Sequence, residues 1–255
     1  MGQLKTGLLS VTFRGLPRED IVRIAAEAGL DAIEWGGDIH VPHGDLDAAA
    51  EAARLTQGAG LTVRSYGSYY RLGVEGQPFT FEDALATAVR LGAPAIRVWA
   101  GNRGSAETDE DARKRVTEDA YRSAELAEKE GVTVCLEYHS RTLTDTCDSA
   151  IRLLRDAAHP RLRSLWQPPV GMPHAQRLEE LRRISPWLEY VHVFQWEGTE
   201  RLPLLDGADE WRTYLEALQL LPGERHAMLE FVRNDDPAQA IEDGKTLTGL
   251  VRELS

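Results

Sequence analysis

Several runs of this chain that are rich in β-branched and aromatic residues carry a polar or ionisable group where such runs are normally apolar. VTVCLEYH (132–139) holds Glu137, YVHVFQW (190–196) holds His192 and HAMLEFV (226–232) holds Glu230. AIEWGGD (32–38), TVRSYGS (62–68), AIRVWAG (95–101) and RSLWQP (163–168) add Glu34, Arg64, Arg97 and Gln167. If each run is a strand, successive side chains face opposite sides. Glu137 then shares a face with Thr133 and Cys135, His192 with Tyr190 and Phe194, and Glu230 with His226 and Met228, while the alternate aliphatic residues face the other way.

Two carboxylates and an imidazole that share an enclosed interior cannot stay uncompensated, because an unpaired buried charge costs several kcal/mol. They are protonated, paired with Arg64 and Arg97 as a purely structural network, or bound to a cation. A divalent metal neutralises both carboxylates at once. Two carboxylates, an imidazole and one further oxygen donor suit Mn²⁺, Mg²⁺, Co²⁺ or Zn²⁺. Such an ion, with carboxylates beside it, serves proton transfer next to a carbonyl.

The elements that would position these groups follow from the alternation of strand-like and helix-like segments. Eight strand candidates (6–12, 32–38, 62–68, 95–101, 132–139, 163–168, 190–196 and 226–232) are separated by segments of helical periodicity. One helix is expected over 109–130, with an acidic first turn and Gly131 just past its end. Strands joined through helices pair in parallel with right-handed crossovers, which leaves an open doubly wound sheet or a closed barrel. SVTFRGLPRED lacks the GxGxxG that follows the first strand of a dinucleotide-binding sheet. Eight regular units and a length of 255 residues favour a (β/α)8 barrel occupying residues 1–255 as one domain. In such a barrel the strand ends carry the chemistry.

Composition restricts the partners. The formal net charge of −12 argues against a phosphate backbone, and no apolar run approaches the roughly 20 residues of a membrane span. The opening residues do not read as a secretion signal, so a soluble cytoplasmic protein is expected. Cys135 and Cys147 lack the spacing of a zinc knuckle or a disulfide framework and read as buried thiols.

The LEYH, VHVF and MLEF motifs, taken with the eight units, resemble the xylose isomerase-like barrels, particularly the sugar phosphate isomerase and epimerase group. The resemblance spans the whole chain and implies a metal held by Glu137, His192 and Glu230. It places Gln167 of LWQPP where those proteins usually have Asp, which removes one negative charge from the ligand set. Val170 stands where the family has a His, with His174 as a substitute from the loop, and Gln195 replaces an Asp after strand seven. The resemblance implies isomerisation or epimerisation of a small sugar or sugar phosphate through an enediolate, with Glu137 and Glu230 exchanging protons. Loss of water, as in the inosose dehydratases, is the alternative outcome, and a non-catalytic sugar-binding barrel is the reading without chemistry. An apurinic endonuclease activity on the same fold is disfavoured by the acidic charge. Substrate contacts are expected from Glu34, His40, Arg64, Tyr66, Arg97, Trp99, His139 and His174, with His43 a weaker candidate. Aromatics at the strand ends, including Tyr69, Phe194 and Trp196, are candidates for an apolar wall. His226, at the start of its strand, reads as structural. Family members often pair into dimers or tetramers, which implies a homo-oligomer here.

Overall fold

A computed structural model describes residues 2–254. Eight strands close into a parallel barrel: β1 (Gln3–Leu9), β2 (Ala32–Gly36), β3 (Thr62–Arg71), β4 (Ala95–Trp99), β5 (Thr133–Leu136), β6 (Leu162–Trp166), β7 (Leu188–Val193) and, at the chain's end, β10 (Glu224–Leu229). β10 pairs with both β7 and β1, which closes the ring. A short antiparallel hairpin, β8 (Trp196–Glu197) with β9 (Glu200–Arg201), follows β7 outside the barrel. The eight helices are α1 (Arg18–Glu27), α2 (Leu46–Gly58), α3 (Phe81–Leu91), α4 (Glu110–Lys129), α5 (Cys147–Ala157), α6 (His174–Ile184), α7 (Ala208–Gln219) and α8 (Pro237–Glu253). No helix is long and apolar enough to cross a membrane among the described residues.

The helices start where capping chemistry allows. The Asp109 side chain accepts the Ala112 amide at 2.7 Å at the head of α4, and Thr80 with Asp83 forms a capping box on α3. Past α4, Gly131 adopts φ +72°, a left-handed turn that glycine makes without a Cβ penalty.

Side-chain parity separates two apolar layers. Leu9, Ala95, Cys135, Leu165, Tyr190 and Met228 pack inside the barrel, while Leu8, Ile33, Val98, Leu136, Val191 and Leu229 face the helices. Both cysteines are buried free thiols. The first strand runs three residues earlier than its β-rich sequence suggests, because Ser10–Phe13 turns into a short 3-10 helix. That turn lets Ser10 Oγ accept the Gly36 amide at 2.9 Å, so the SVTF segment gives up pairing to brace the end of β2.

Two breaks in register matter for the interior. Ile33 pairs with Val63 but Glu34 with Ser65, so Arg64 is skipped; Ser164 pairs with Leu188 but Leu165 with Tyr190, so Glu189 is skipped. A bulge re-aims the extra side chain. β3 and β7 lie opposite one another in the ring, and Arg64 Nη2 meets Glu189 Oε1 at 2.8 Å near the strand starts.

Candidate metal centre at the barrel mouth

Glu137, Gln167 and Glu230 each follow the last residue of a strand, and His192 lies one residue before the end of β7. The backbone continues just far enough to fix them: the Glu137 amide donates to Val98 O at 3.0 Å and the Glu230 amide to Val193 O at 2.8 Å. One ligand atom from each of Glu137, His192 and Glu230 lies within 4.8 Å of the others, and all three residues are buried.

These oxygens converge on one ring nitrogen. His192 Nδ1 lies 3.2 Å from Gln167 Oε1, 3.4 Å from Glu230 Oε2 and 3.8 Å from Glu137 Oε1. Gln167 Nε2 donates to Tyr138 O at 2.6 Å, which turns the amide oxygen toward the imidazole. Thus Gln167 both ties down the loop and presents an acceptor to the group.

Beneath this cluster runs a second, fully buried network. Arg97 Nε donates to Glu34 Oε1 at 2.8 Å and its Nη1 donates to Glu137 Oε2, which also accepts from Trp99 Nε1. Glu34 in turn accepts from the Ser65 hydroxyl and, at 2.9 Å, from Tyr190. Gly67 makes room for this network: a Cβ there would stand 2.5 Å from Arg97 Nη2. The Arg97 guanidinium also lies over the Tyr69 ring at 4.6 Å.

Burial, the largest single influence, raises the pKa of Glu34 and Glu137, but Arg97, His192 and the hydrogen bonds they accept together outweigh it and hold both below the ordinary carboxylate range. Burial alone would lower His192, yet attraction to Glu230 and then Glu34 pushes it up to about 10. Without a metal a protonated imidazole therefore offsets one of the carboxylate charges here.

The donor set fits a divalent ion on two counts. One ring proton satisfies one of the three oxygens gathered around Nδ1, and His192 Nε2 is buried without a hydrogen bond. Glu34, Glu137 and Glu230 against Arg97 leave two negative charges when His192 is neutral, the charge a divalent cation would balance. Glu137, Gln167, His192 and Glu230 would be its ligands. Gln167, having no charge, keeps the set neutral where an Asp would leave it negative.

A cavity of about 460 Å³ opens above the cluster. Its inner end is Glu137, Gln167 and Glu230; Phe194, Trp196 and Phe231 form an apolar wall; His139, Arg141 and Asp145 make the polar rim. His139 stacks on Trp99 at 4.5 Å, so Trp99 supports both a ligand and the rim.

The expected substrate contacts divide accordingly. His139 lines the cavity and Trp99 touches Glu137, whereas Glu34 and Arg97 are each 1% exposed and lie under the mouth as supports. Arg64 is committed to the barrel floor by its bulge. His40 bonds Leu16 O at 3.1 Å, the buried Tyr66 hydroxyl donates to Val41 O at 2.8 Å, and His174 meets Thr213 at 2.8 Å; none of the three lines the cavity. His43 is taken up by Tyr66, at 2.7 Å, and by stacking on Phe79. Arg141, Asp145 and Phe231 were not singled out from sequence. Their one available signal is that each follows a strand on the carboxyl-terminal face.

The profile of the xylose isomerase-like TIM barrels matches residues 22–248, and the chain belongs to that family. It is 24% identical over 206 residues to a 3-dehydroshikimate dehydratase of Bacillus anthracis, covering 74% of this chain and 71% of the relative. Among solved structures, the probable 3-DHS dehydratase AsbF of Bacillus anthracis superposes with a TM-score of 0.77 at 20% identity, covering 97% of this chain and 99% of that one. A D-psicose 3-epimerase of Clostridium cellulolyticum H10, crystallised with D-tagatose, gives 0.71 at 16% identity over 98% of each chain. The likeness to both structures is one of fold. The family thus includes epimerases and a dehydratase.

Proposed function

We propose that this chain is a divalent-metal-dependent enzyme that enolises a small polyhydroxylated ketone, and that the reaction ends in loss of a β-hydroxyl as water. The carrying observation is the unequal standing of its two mouth carboxylates. Glu137 Oε2 is occupied by Arg97 and Trp99, and its pKa is lowered, so it is a poor proton acceptor. Glu230 lines the cavity, approaches His192 through Oε2 and has no arginine on it.

One carboxylate without an arginine bound to it suffices for elimination. Glu230 takes the proton from the carbon beside the carbonyl and the electron pair moves to the carbonyl oxygen. As the carbonyl re-forms, the pair makes a C=C bond and the β C–O bond breaks. The departing hydroxide takes the proton back from Glu230 and leaves as water, which returns the carboxylate to its starting state. When bound, the divalent ion would polarise the carbonyl and stabilise the enolate charge. The apolar wall of Phe194, Trp196 and Phe231 would keep bulk water from the enolate.

Epimerisation or isomerisation is the second reading, favoured by the nearness of both carboxylates to His192 and by the fold shared with a ketose 3-epimerase. Inversion at one carbon needs a proton donor on each face of the enediolate, so Glu137 would have to release Arg97. Two substrates separate the readings. Mn²⁺-loaded protein given 3-dehydroshikimate should produce a conjugated, ultraviolet-absorbing product, with kcat lowered about 10²- to 10⁴-fold in Glu230→Gln. Inversion of D-psicose to D-fructose without any dehydration would overturn the elimination in favour of the two-carboxylate reaction.

A further inference from the structure

The arginines around the barrel mouth are nearly all committed. Arg97 is held by Glu34 and Glu137, Arg14 by Asp38 at 2.7 Å, and Arg201 by Asp235, while Arg71 donates to Gly101 O at 3.2 Å and lies over Trp99 at 4.1 Å. Arg141 is different. It lines the cavity, is exposed, and makes no hydrogen bond or ion pair among the described residues; no other Lys or Arg lines that cavity.

Arg141 is also presented rigidly. It adopts φ +59°, a left-handed conformation that costs a non-glycine residue of order 1 kcal/mol, in the loop between β5 and α5. That loop is pinned on both sides of it. Thr142 Oγ1 donates to His139 O at 2.7 Å, the Leu143 amide donates to Ala100 O at 2.8 Å, the Thr144 hydroxyl donates to Glu137 O, and Ser149 Oγ donates to Leu143 O at 2.6 Å. The guanidinium therefore springs from a backbone anchored to the same strand end as Glu137, and it stands on the rim of a cavity that otherwise carries the carboxylates Glu137, Asp145 and Glu230.

We infer that Arg141 is a specificity-determining residue that receives a carboxylate of the substrate, making the substrate class an acidic hydroxyketone rather than a neutral sugar or a sugar phosphate. The inference rests on the proposed enolisation for the ketone end of that substrate. A planar guanidinium matches one carboxylate through two parallel hydrogen bonds. A phosphate dianion beside Asp145 would call for a second basic side chain on the rim, and no Lys or Arg besides Arg141 lines the cavity. Asp145, whose Oδ2 takes the Ser105 amide at 3.0 Å, adds a carboxylate to that rim.

The test uses shikimate, which has no ketone to enolise, and its neutral methyl ester, titrated calorimetrically into the full-length protein with Mn²⁺ present. The wild type should bind shikimate about tenfold or more tightly than the ester. Arg141→Gln should abolish that preference, Arg141→Lys should keep part of it, and inorganic phosphate should compete poorly. Equal binding of acid and ester, no binding of either, an unchanged preference in Arg141→Gln, or phosphate competing as well as shikimate would each overturn the inference. Because binding is read without turnover, an intact preference in a protein that fails to dehydrate 3-dehydroshikimate would leave the subsite standing and remove only the elimination.

Discussion

At the amino-terminal end of the barrel, Arg64 and Glu189 reach across the interior and meet at 2.8 Å, with Arg163 3.9 Å from the other Glu189 oxygen. At the carboxyl-terminal end, Glu34, Glu137 and Glu230 share Arg97 and the ring of His192. Both ends bury charge that a parallel barrel would normally exclude. The Glu189 carboxylate at the floor is met by side-chain cations, whereas at the mouth three carboxylates against Arg97 leave two negative charges, one of which a protonated His192 would offset and both of which a divalent ion would balance. A surplus of buried charge of one sign, rather than buried charge as such, is what separates a working site from a structural ion pair.

Removing Arg97 should strain that contrast most. Arg97→Met leaves Glu34 and Glu137 buried without their cation, and an unfolding free energy lower by about 3–5 kcal/mol is expected in urea titrations. A variant as stable as wild type would mean that Arg97 does not hold the mouth together.

The floor should respond less, because the Glu189 side chain is about one-quarter exposed and water can take over. Arg64→Met should cost about 1–3 kcal/mol. Arg64→Met combined with Glu189→Leu should recover most of that loss, since an ion pair replaced by apolar groups is often neutral. Failure of the double variant to recover would show that the floor charges serve more than each other.

Gln167→Asp changes the mouth without touching the floor. It adds a negative charge to the ligand set, and Mn²⁺ affinity should rise about tenfold, or 1.4 kcal/mol. An unchanged affinity would take Gln167 out of the ligand set.

A pH-dependent effect belongs to His226, at the floor. Burial first, then Arg64 and Lys5, lower its pKa to about 3 from an ordinary 6.5. Below pH 6.5 the unfolded chain accepts a proton that the fold refuses, so this stability is complete above 6.5 and drains away as the pH falls toward 3. The loss approaches ~1.4 kcal/mol per pH unit at most. Denaturation at pH 7 and pH 5 should show a shallower decline for His226→Gln than for wild type.

The barrel and the three clustered residues at its mouth were legible in sequence for one reason. A glutamate in VTVCLEYH or MLEF interrupts an otherwise apolar strand, and the number and spacing of such strands set the topology. Depth along the strand was not legible. Arg64 and Arg97 look alike as single arginines in β-rich runs, yet a skipped residue in β3 sends one to the floor while the other, paired with Cys135 of β5, lies under the mouth. Tyr66, His40 and His174 have the right residue types, but tertiary neighbours absorb their polar atoms. Arg141 sits in a loop, where no period marks a side chain as facing a cavity.

The central claim, that the mouth is built to take a divalent cation, is tested most directly by calorimetric titration of Mn²⁺ into metal-free protein in two buffers of different ionisation enthalpy. The account predicts one ion per chain, lost in His192→Ala, with close to one proton released near neutral pH, because His192 is protonated up to about pH 10 until a metal displaces its proton. No binding, or binding that His192→Ala leaves unchanged, would contradict it.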